Sequence, residues 1–550
     1  MSDQPASAGS DTPFRSGSGA PWWCPGDRCG SKHHSSGSVG MALRIGLKPA
    51  LPLIPLLPGL SLLGILGVLL RDGHGGGLLL LQQFAAGAVQ PSIDPIVLGS
   101  LLNGLQITLV IAVMSWGISS VLGVGLGLLS SSTFWEILAD VRWPAVILRR
   151  WLAPLRAVHE LIWGLLLLQL FGLNGWVAIC AIAIPYTVLM ARVIADQVDC
   201  HVSPAIPVLK GAGATPWAVM LTGLVPPLAE PISDHIGHRL DCALRSALIL
   251  GVFGLGGLGT DLSLSLRSLQ FQELWSGLWM LAIAMVVLDR LLRTLRSRSR
   301  MLILPVAMAS PWLALGWGTQ LDLQLVWPVA EWSMVVGNLI DGSQGFNAAL
   351  EISWPGVIGA TVWITLIAGC VATGLPPLLL LVWPSQASLR LQGVMWGALR
   401  LIPAPLTALL LLMLAKPSLS LAGLALGLHH GGVMGRVLID DLRSRGLRSA
   451  QTMKTCGATN RVSWLYGPLA DVSRAYLTYA TYRLDVILRD TAIIGMVGGA
   501  GLGWQLMEAL SSFHWWLVLW IVLISAVLTL LGESLGERLQ GSWNSRAMAL

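Results

Sequence analysis

Charge is scarce in this sequence. Only 11% of its 550 residues are Asp, Glu, Lys or Arg, against roughly 25% in an ordinary soluble domain. A soluble fold of this length needs more charged residues to cover its surface, so the low content excludes that class. Lysine is rare, with five residues, and the net charge of +6 at pH 7 is small for the length. We therefore expect no nucleic-acid partner.

Several signals of catalysis and of metal binding are also missing. No G-x-x-x-x-G-K-[ST] motif occurs, so we do not expect this chain to bind and hydrolyse ATP itself. The seven cysteines are scattered and imply no disulfide framework. Cys24, Cys29, His33 and His34 could be drawn as a zinc site, but the C-x4-C spacing is poor for one. We expect a non-enzyme with no metal and no cofactor.

Long apolar runs dominate what is present. Hydrophobic residues make up 54% of the chain, its mean hydropathy is +0.71, and its 25 Trp suit interfacial belts. We predict an all-α polytopic membrane protein with about twelve transmembrane helices. The predicted spans are 50–70, 103–130, 158–173, 176–196, 240–258, 274–292, 302–318, 354–382, 398–415, 418–438, 484–502 and 514–532.

Arginine placement predicts the orientation of these spans. The loops 131–157, 290–300 and 436–483 are rich in Arg, whereas residues 319–351 contain four acidic residues and no Lys or Arg. With six spans before and six after residue 300, every Arg-rich loop falls on one side. The positive-inside rule then places both termini in the cytoplasm.

One segment occurs twice. Residues 239–259, RLDCALRSALILGVFGLGGLG, and 483–503, RLDVILRDTAIIGMVGGAGLG, are identical at eleven of 21 positions with an offset of 244. The alignment runs without a gap from Leu155 to Gly259. Two related halves with an even number of spans form a parallel repeat, with a pathway between them. The predicted organisation is a flexible cytoplasmic tail (1–42), a first half (43–300), a second half (301–540) and a C-terminal tail (541–550).

Two amphipathic stretches precede the fifth span of each half. They read VLKGAGATPWAVMLTGLVPPL at 208–228 and TMKTCGATNRVSWLYGPLADV at 452–472. A Gly inside a helical pattern costs about 1 kcal/mol relative to Ala and usually marks a turn. We predict two short helices joined at Gly213 and at Gly457; an ordinary loop between spans is the alternative.

The first stretch resembles the coupling loop of binding-protein-dependent ABC importer permeases, in which a Gly is followed thirteen residues later by Pro. Gly213 and Pro226 fit that pattern. The Glu that begins the family motif is replaced here by Pro207 and Gln451, and Ala470 replaces the second Pro.

The repeated segment resembles one branch of that family. TYRLDVILRDTAIIGMVGGAGLG (481–503) looks like the fifth span of phosphonate-type ABC permeases, and LRAVHELIWGLLL (155–167) and LHHGGVMGRVLIDDL (428–442) are similar to its third and fourth. The resemblance covers roughly residues 100–292 and 350–533. It implies the type I ABC importer permease fold, with two permease units fused in one chain.

The resemblance also implies partners and a substrate. They are two copies of an ABC ATPase, a periplasmic solute-binding protein, the lipid bilayer and a small oxyanion such as phosphonate, phosphite or phosphate. The ATPase would dock on the coupling loops. The candidate coupling residues are Lys210, Gly213, Ala214, Thr215, Pro226, Lys454, Gly457, Ala458 and Thr459.

The repeated segment supplies candidates for the pathway. Its Arg residues could be membrane anchors, with Asp241 placed i,i+4 to pair with Arg245, or guanidiniums that meet an oxyanion. Its Gly residues could bend the helix end, allow close packing or narrow the pathway. The candidates are Arg239, Asp241, Arg245, Gly254, Gly257, Gly259, Arg483, Asp485, Arg489, Gly498, Gly501 and Gly503.

A gradient-driven secondary transporter with six-plus-six parallel repeats is the alternative function. Such carriers usually hold ionisable groups in mid-membrane, and the predicted spans hold almost none away from their ends. Glu160, whose equivalent is Ala404, is interpreted as an anchor at a helix end. His429 and His430 are interpreted as packed polar groups rather than metal ligands.

Overall fold

In the computed structural model, all regular secondary structure of the described residues is helical, apart from an isolated β-bridge between Gly73 and Ala415. The tail 1–42, with the cluster Cys24, Cys29, His33 and His34, lies outside the described residues. The described residues are 56, 59, 61–73, 76–200, 205–299, 302–321, 349–498 and 501–548.

The first half contains twelve helices in its described part. A π-helical turn, Met220–Leu224, joins α9 to α10, and a second, Gly251–Leu255, extends α10. The helices are α1 Ser61–Asp72, α2 Gly77–Val89, α3 Pro95–Leu129, α4 Ser132–Leu138, α5 Trp143–Ala157, α6 Glu160–Phe171, α7 Gly175–Cys200, α8 Ala205–Gly211, α9 Pro216–Val219, α10 Val225–Leu250, α11 Leu258–Arg267 and α12 Phe271–Arg298.

The second half contains ten helices in its described part. The last of them continues to Met548, through most of the segment expected to be a C-terminal tail. They are α13 Ile303–Gln320, α14 Trp354–Val382, α15 Gln386–Leu401, α16 Ala404–Leu412, α17 Leu419–Arg445, α18 Arg448–Thr455, α19 Asn460–Tyr466, α20 Pro468–Gly498, α21 Gly501–Ser511 and α22 Trp515–Met548.

Four described helices are long and apolar enough to cross a membrane: α3, α7, α14 and the first part of α22, Trp515–Gly536. The number is up to seven if each of three sharply bent pairs is one span; α5 and α6, for example, meet at 82°. These helices agree with the predicted membrane class. The count of twelve spans stays a prediction.

Capping side chains fix several helix starts. Asp94 Oδ1 accepts a hydrogen bond from the Ile96 backbone N–H at 2.9 Å, and Ser418 Oγ accepts one from the Leu421 N–H at 3.2 Å. Such caps stabilise a helix by about 1 kcal/mol because they satisfy N–H groups that have no partner in the helix. In a chain this apolar, caps mark helix ends that hydrophobic periodicity cannot.

Helices 244 residues apart have nearly the same bounds. α5 and α15 end at Ala157 and Leu401, and α12 and α22 begin at Phe271 and Trp515. Corresponding helices of the two halves also pack in the same way: α3 lies on α7 in the first half, and α14 lies on α17 in the second. Close approach depends on Gly, because a Cβ at Gly127 would lie 2.8 Å from Ile194 Cβ.

The outermost helix of each half packs on the opposite half. Ile65 of α1 is buried in a small cluster with Val371 of α14 and Leu424 of α17. In return, α13 lies along α3, where a Cβ at Gly117 would meet the ring of Pro311 at 2.6 Å. Each half thus supplies one helix to its neighbour's core.

Candidate functional site

Both amphipathic stretches form two short helices joined at a glycine, as predicted. Gly213 and Gly457 have φ of +78° and +85°, which side chains other than Gly rarely adopt. In each, the Gly N–H donates to the Lys210 or Lys454 carbonyl at 3.0 Å, and the next N–H reaches one residue further back. This pair of hydrogen bonds is a Schellman motif, which ends α8 and α18.

The two stretches differ in how they join the next helix. In the first, α9 continues through the π-helical turn into α10, whose first turn contains Pro226. In the second, Gly467 (φ −96°, ψ −105°) separates α19 from α20, which begins at Pro468. Thr215 and Thr459 are the N-cap residues of α9 and α19, and only the Thr215 side chain caps, by accepting from Ala218 N–H.

The Arg and Asp residues of the repeated segment form ion pairs within each helix. Arg245 contacts Asp241, and Arg489 Nη2 lies 2.7 Å from Asp485 Oδ2, so the i,i+4 pairing is confirmed. These side chains are not at an open interface: 18% of Arg245 and 11% of Arg489 is exposed. Asp241 also contacts Arg400 of the second half, which covers it.

Arg239 and Arg483 have different partners. The guanidinium of Arg239 lies 5.6 Å above the ring of Tyr186 and its Nε donates to His235 Nε2 at 3.3 Å. Arg483 Nε donates to His430 Nδ1 at 3.0 Å. Within the described part of the chain, neither guanidinium forms an ion pair with a carboxylate. Two equivalent cations therefore lie beside aromatic rings, and no carboxylate among the described residues pairs with either.

A buried chain of polar groups continues from Arg239 in the first half. Ser246 Oγ donates to Glu160 Oε1 at 2.6 Å, so the Tyr186 hydroxyl, 2.8 Å from Ser246 Oγ, is the donor in that contact. Glu160 Oε2 lies 3.4 Å from His159 Nε2. Glu160 begins α6, and its carboxylate belongs to this series of polar contacts; its role as an anchor stays a prediction.

The chain crosses to the second half at Asp490. Its Oδ1 lies 3.1 Å from His159 Nε2, and its Oδ2 lies 3.1 Å from His430 Nε2, although the latter contact lacks hydrogen-bond alignment. Leu161 N–H donates to His159 Nδ1, and Arg483 donates to His430 Nδ1. Both imidazoles in neutral form therefore carry their proton on Nε2, facing Asp490.

The two ends of this chain occupy equivalent positions. Tyr186 and His430 are 244 residues apart, as are Ser246 and Asp490, and Arg239 and Arg483. Each half thus holds an Arg, a ring and a small polar group in the same order. They differ in chemistry, since the second half has an imidazole and a carboxylate where the first has two hydroxyls.

The sequence did not predict most of these buried polar contacts. His430 was expected to be a packed polar group, and it is fully buried; His429 is also buried, with its Nδ1 2.9 Å from the Ile402 carbonyl oxygen. The roles of His159, Asp490 and Ser246 carry no local signal. Comparing the residues that differ at the 244 offset is the one sequence signal that could have found them.

The glycines of the repeated segment lie at the bend that ends the predicted fifth span of each half, and they pack within their own half. Gly254, Gly257 and Gly501 have positive φ, and the axis turns by 58° between Leu255 and α11. A Cβ at Gly259 would lie 2.1 Å from the Leu248 carbonyl oxygen, and Gly503 is equally close to Ala492. Gly498 is the last residue of α20.

A small cavity lies beside Arg489, between residues of the two halves. Its volume is about 20 Å³, and its walls include Ile162, Thr361, Arg489 and Thr529. This is room for about one water molecule. Among the described residues, no group of three or more His, Cys, Asp or Glu is arranged to hold a metal ion.

Known permeases match parts of this chain. The phosphite transport system permease protein PtxC of Stutzerimonas stutzeri is 30% identical over 138 residues, 25% of this chain and 50% of that protein. The phosphate-import permease protein PhnE of Mycolicibacterium smegmatis is 27% identical over 192 residues, 35% of each chain. This chain is homologous to ABC permeases of the phosphonate, phosphite and phosphate type.

The coverage of these homologues is partial. This chain spans about a third to a half of the first curated relatives it matches, and a 28% identical match covers 96% of the putative cryptic phosphonate transport system permease protein PhnE2 of Escherichia coli K12. No protein-family model and no solved structure matches it. The homologues and the apolar helices together indicate a multi-pass inner-membrane protein.

Proposed function

We propose that this chain is the membrane subunit of an ABC importer for phosphonate or a related oxyanion, phosphite or phosphate. Its two halves form the translocation pathway between them, and both termini lie in the cytoplasm. A periplasmic solute-binding protein delivers the ligand, and two copies of an ATPase dock on the loops around Gly213 and Gly457. The ATPase supplies the hydrolysis, so this chain itself is not an enzyme and needs no cofactor.

The recurrence of one loop geometry carries this proposal. The loops at Gly213 and Gly457 share the same positive φ and the same pair of hydrogen bonds, 244 residues apart. A pair of identical turns suits a partner that binds twice. The lengths of the relatives support fusion. The matched 192 residues are 35% of this chain and also 35% of the mycobacterial permease, so these two chains have about the same length. The matched 138 residues are 25% of this chain but 50% of PtxC, which is therefore about half as long.

Arg239 and Arg483 support an oxyanion as the solute. Arg suits phosphorus oxyanions because its guanidinium donates two parallel hydrogen bonds. Arg245 and Arg489 are already neutralised by Asp241 and Asp485. The two guanidiniums that lie against rings are the cations left to meet an anionic solute.

Co-purification with the ATPase tests the proposal. We expect the wild-type chain to retain its ATPase and the double variant Gly213→Trp, Gly457→Trp to lose it, because a side chain at either positive-φ position strains the turn and adds bulk in open space. Gly172→Trp, which puts the same bulk at another glycine of positive φ with open space at its Cβ, should retain it. A folded wild-type chain that retains no ATPase contradicts the importer.

A gradient-driven carrier is the second candidate. The buried contact of Asp490 with His159 and His430 favours it, because ion-coupled carriers place ionisable groups in the membrane interior. Transport into vesicles distinguishes the two. The importer needs ATP and the binding protein, whereas the carrier needs only an ion gradient across the vesicle membrane.

A further inference from the structure

The two coupling loops can be compared position by position around the Gly, because they share one turn geometry there. Both end a helix with the same Schellman motif and start a second helix three residues after the Gly, at Pro216 and at Asn460. Beside the Gly, a difference in what they expose therefore comes largely from the side chains; further along, Leu221 lies in a π-helical turn and Leu465 in α19. Such a difference reports on the surface that each loop meets.

The first loop exposes apolar side chains. Val208 is 71% exposed, Trp217 65% and Leu221 64%. Its one cation is Lys210, whose ammonium is turned back onto the α4–α5 connection, where it contacts the Glu136 carbonyl and lies 3.3 Å from Asp140 Oδ1. Exposed large aromatic and aliphatic groups in one patch indicate an interaction site.

The second loop exposes polar and basic side chains at the same positions. Thr452 replaces Val208, and Arg461 replaces Trp217; both replacements are exposed. Leu465, the equivalent of Leu221, is half-buried. Exposed Arg448 and Lys454 add positive charge, and residues 446–470 include no acidic residue.

We infer that the two loops bind chemically different surfaces of the ATPase pair, an apolar pocket at Trp217 and an acidic groove at Arg461. The inference rests on the proposed function, since it names the chemistry of the partner at those loops. A cationic loop selects carboxylates by charge complementarity. The apolar loop gains from burying Trp217, a residue type that dominates binding energy at interfaces. Since the two ATPase copies are the same, each copy would present both features, and each loop would use one of them.

Salt separates the two contacts once each loop is isolated. In the full-length chain, Gly457→Trp blocks the second loop and leaves the first, and Gly213→Trp does the reverse. Retention of the ATPase is then measured from about 0.1 M to about 1 M NaCl, which shortens the Debye length from ~10 Å to ~3 Å. We expect retention by the first loop to persist in high salt and retention by the second to be lost.

Single substitutions identify the residues responsible. In the Gly457→Trp background, Trp217→Ala should abolish retention, whereas Trp312→Ala, which removes an even more exposed Trp from α13, should not. In the Gly213→Trp background, Arg461→Ala should weaken retention about tenfold, or roughly 1.4 kcal/mol. Arg293→Ala, at an exposed cation of α12, is its control.

Several results overturn the inference. Loss of both contacts over one salt range means that the loops bind by the same chemistry. Full retention by the Trp217→Ala variant, with poorer recovery in membranes, means that Trp217 covers lipid instead. If the unblocked wild-type chain retains no ATPase at any salt concentration, the proposed function itself fails, so the two failures are distinguishable.

Discussion

Thr108 holds Leu258 across 150 residues of sequence: the Leu258 backbone N–H donates to Thr108 Oγ1 at 2.9 Å. The Thr108 hydroxyl donates in turn to the Gly104 carbonyl at 2.9 Å. Leu502 N–H and Thr361 Oγ1 repeat this bond at 3.0 Å in the second half. α3 and α14 thus cap α11 and α21, the helices that follow the Gly bends.

Replacing this hydroxyl should destabilise the protein. Thr108→Val leaves a buried N–H at the start of α11 without its acceptor, which costs about 1–3 kcal/mol. We expect the melting temperature of the purified chain in detergent to fall by several degrees. Thr294→Val is the control, because that exposed hydroxyl only donates to the Arg290 carbonyl of its own helix. An equal fall in both variants contradicts the prediction.

The contact between His159 and Asp490 should couple the two halves energetically. Single and double Ala variants form a thermodynamic cycle in which contacting groups interact by about 0.5–3 kcal/mol. We expect such a coupling in thermal unfolding, because the two side chains face each other at 3.1 Å in the interior. Pairing Asp490→Ala with Arg293→Ala, on exposed α12, should give simple additivity. Additivity in both cycles would mean that the His159 contact carries no energy.

Arg239 and Arg245 should respond differently to substitution. Arg239→Gln removes a cation with no carboxylate partner, so we expect solute uptake to fall about tenfold or more, as for a lost charged hydrogen bond. Arg245→Gln removes one of the two arginines that contact Asp241, so it should lower stability first. Uptake and melting temperature are measured on both. Normal uptake by a stable Arg239→Gln, Arg483→Gln double variant contradicts a role in solute binding.

The 244-residue offset supplies its own control for one acidic residue. Glu533 contacts Arg156 and Arg192 of the first half, whereas its equivalent, Asp289, pairs with Arg293 on the exposed face of α12. Glu533→Gln should destabilise the protein by roughly 1–3 kcal/mol, since a largely buried guanidinium loses its partner. Asp289→Asn should change stability by less than about 1 kcal/mol, as for other surface pairs. Thermal unfolding compares them; equal effects would show that Glu533 is no more important than a surface acid.

Local features of the fold followed from the sequence, because their causes are local. A Gly at a fixed place in an amphipathic stretch predicted the turns at Gly213 and Gly457, and i,i+4 spacing predicted the pair Asp241–Arg245. Helix type followed from apolar runs too long for anything else. These inferences need only backbone sterics and helix geometry.

The interior contacts did not follow from the sequence. His159 and Asp490 meet because two helices from different halves pack side by side, and nothing near either residue specifies the other. Lys210 shows the same limit, since its spacing marks a loop cation but not that the ammonium turns back toward Asp140. The packing of α1 and α13 on the opposite halves was also missed, because apolar helices that face lipid and apolar helices that face protein have similar compositions.

The exchange of outer helices constrains how the protein is made. When α1 leaves the ribosome, its packing partners Val371 and Leu424 are roughly 300 residues from being synthesised, a delay of about 15–60 s at usual elongation rates. During that interval α1 must remain without its final neighbours. Separating the halves into two polypeptides would make this wait depend on the concentration of the second chain, whereas a single chain delivers the partner to every α1 that is synthesised.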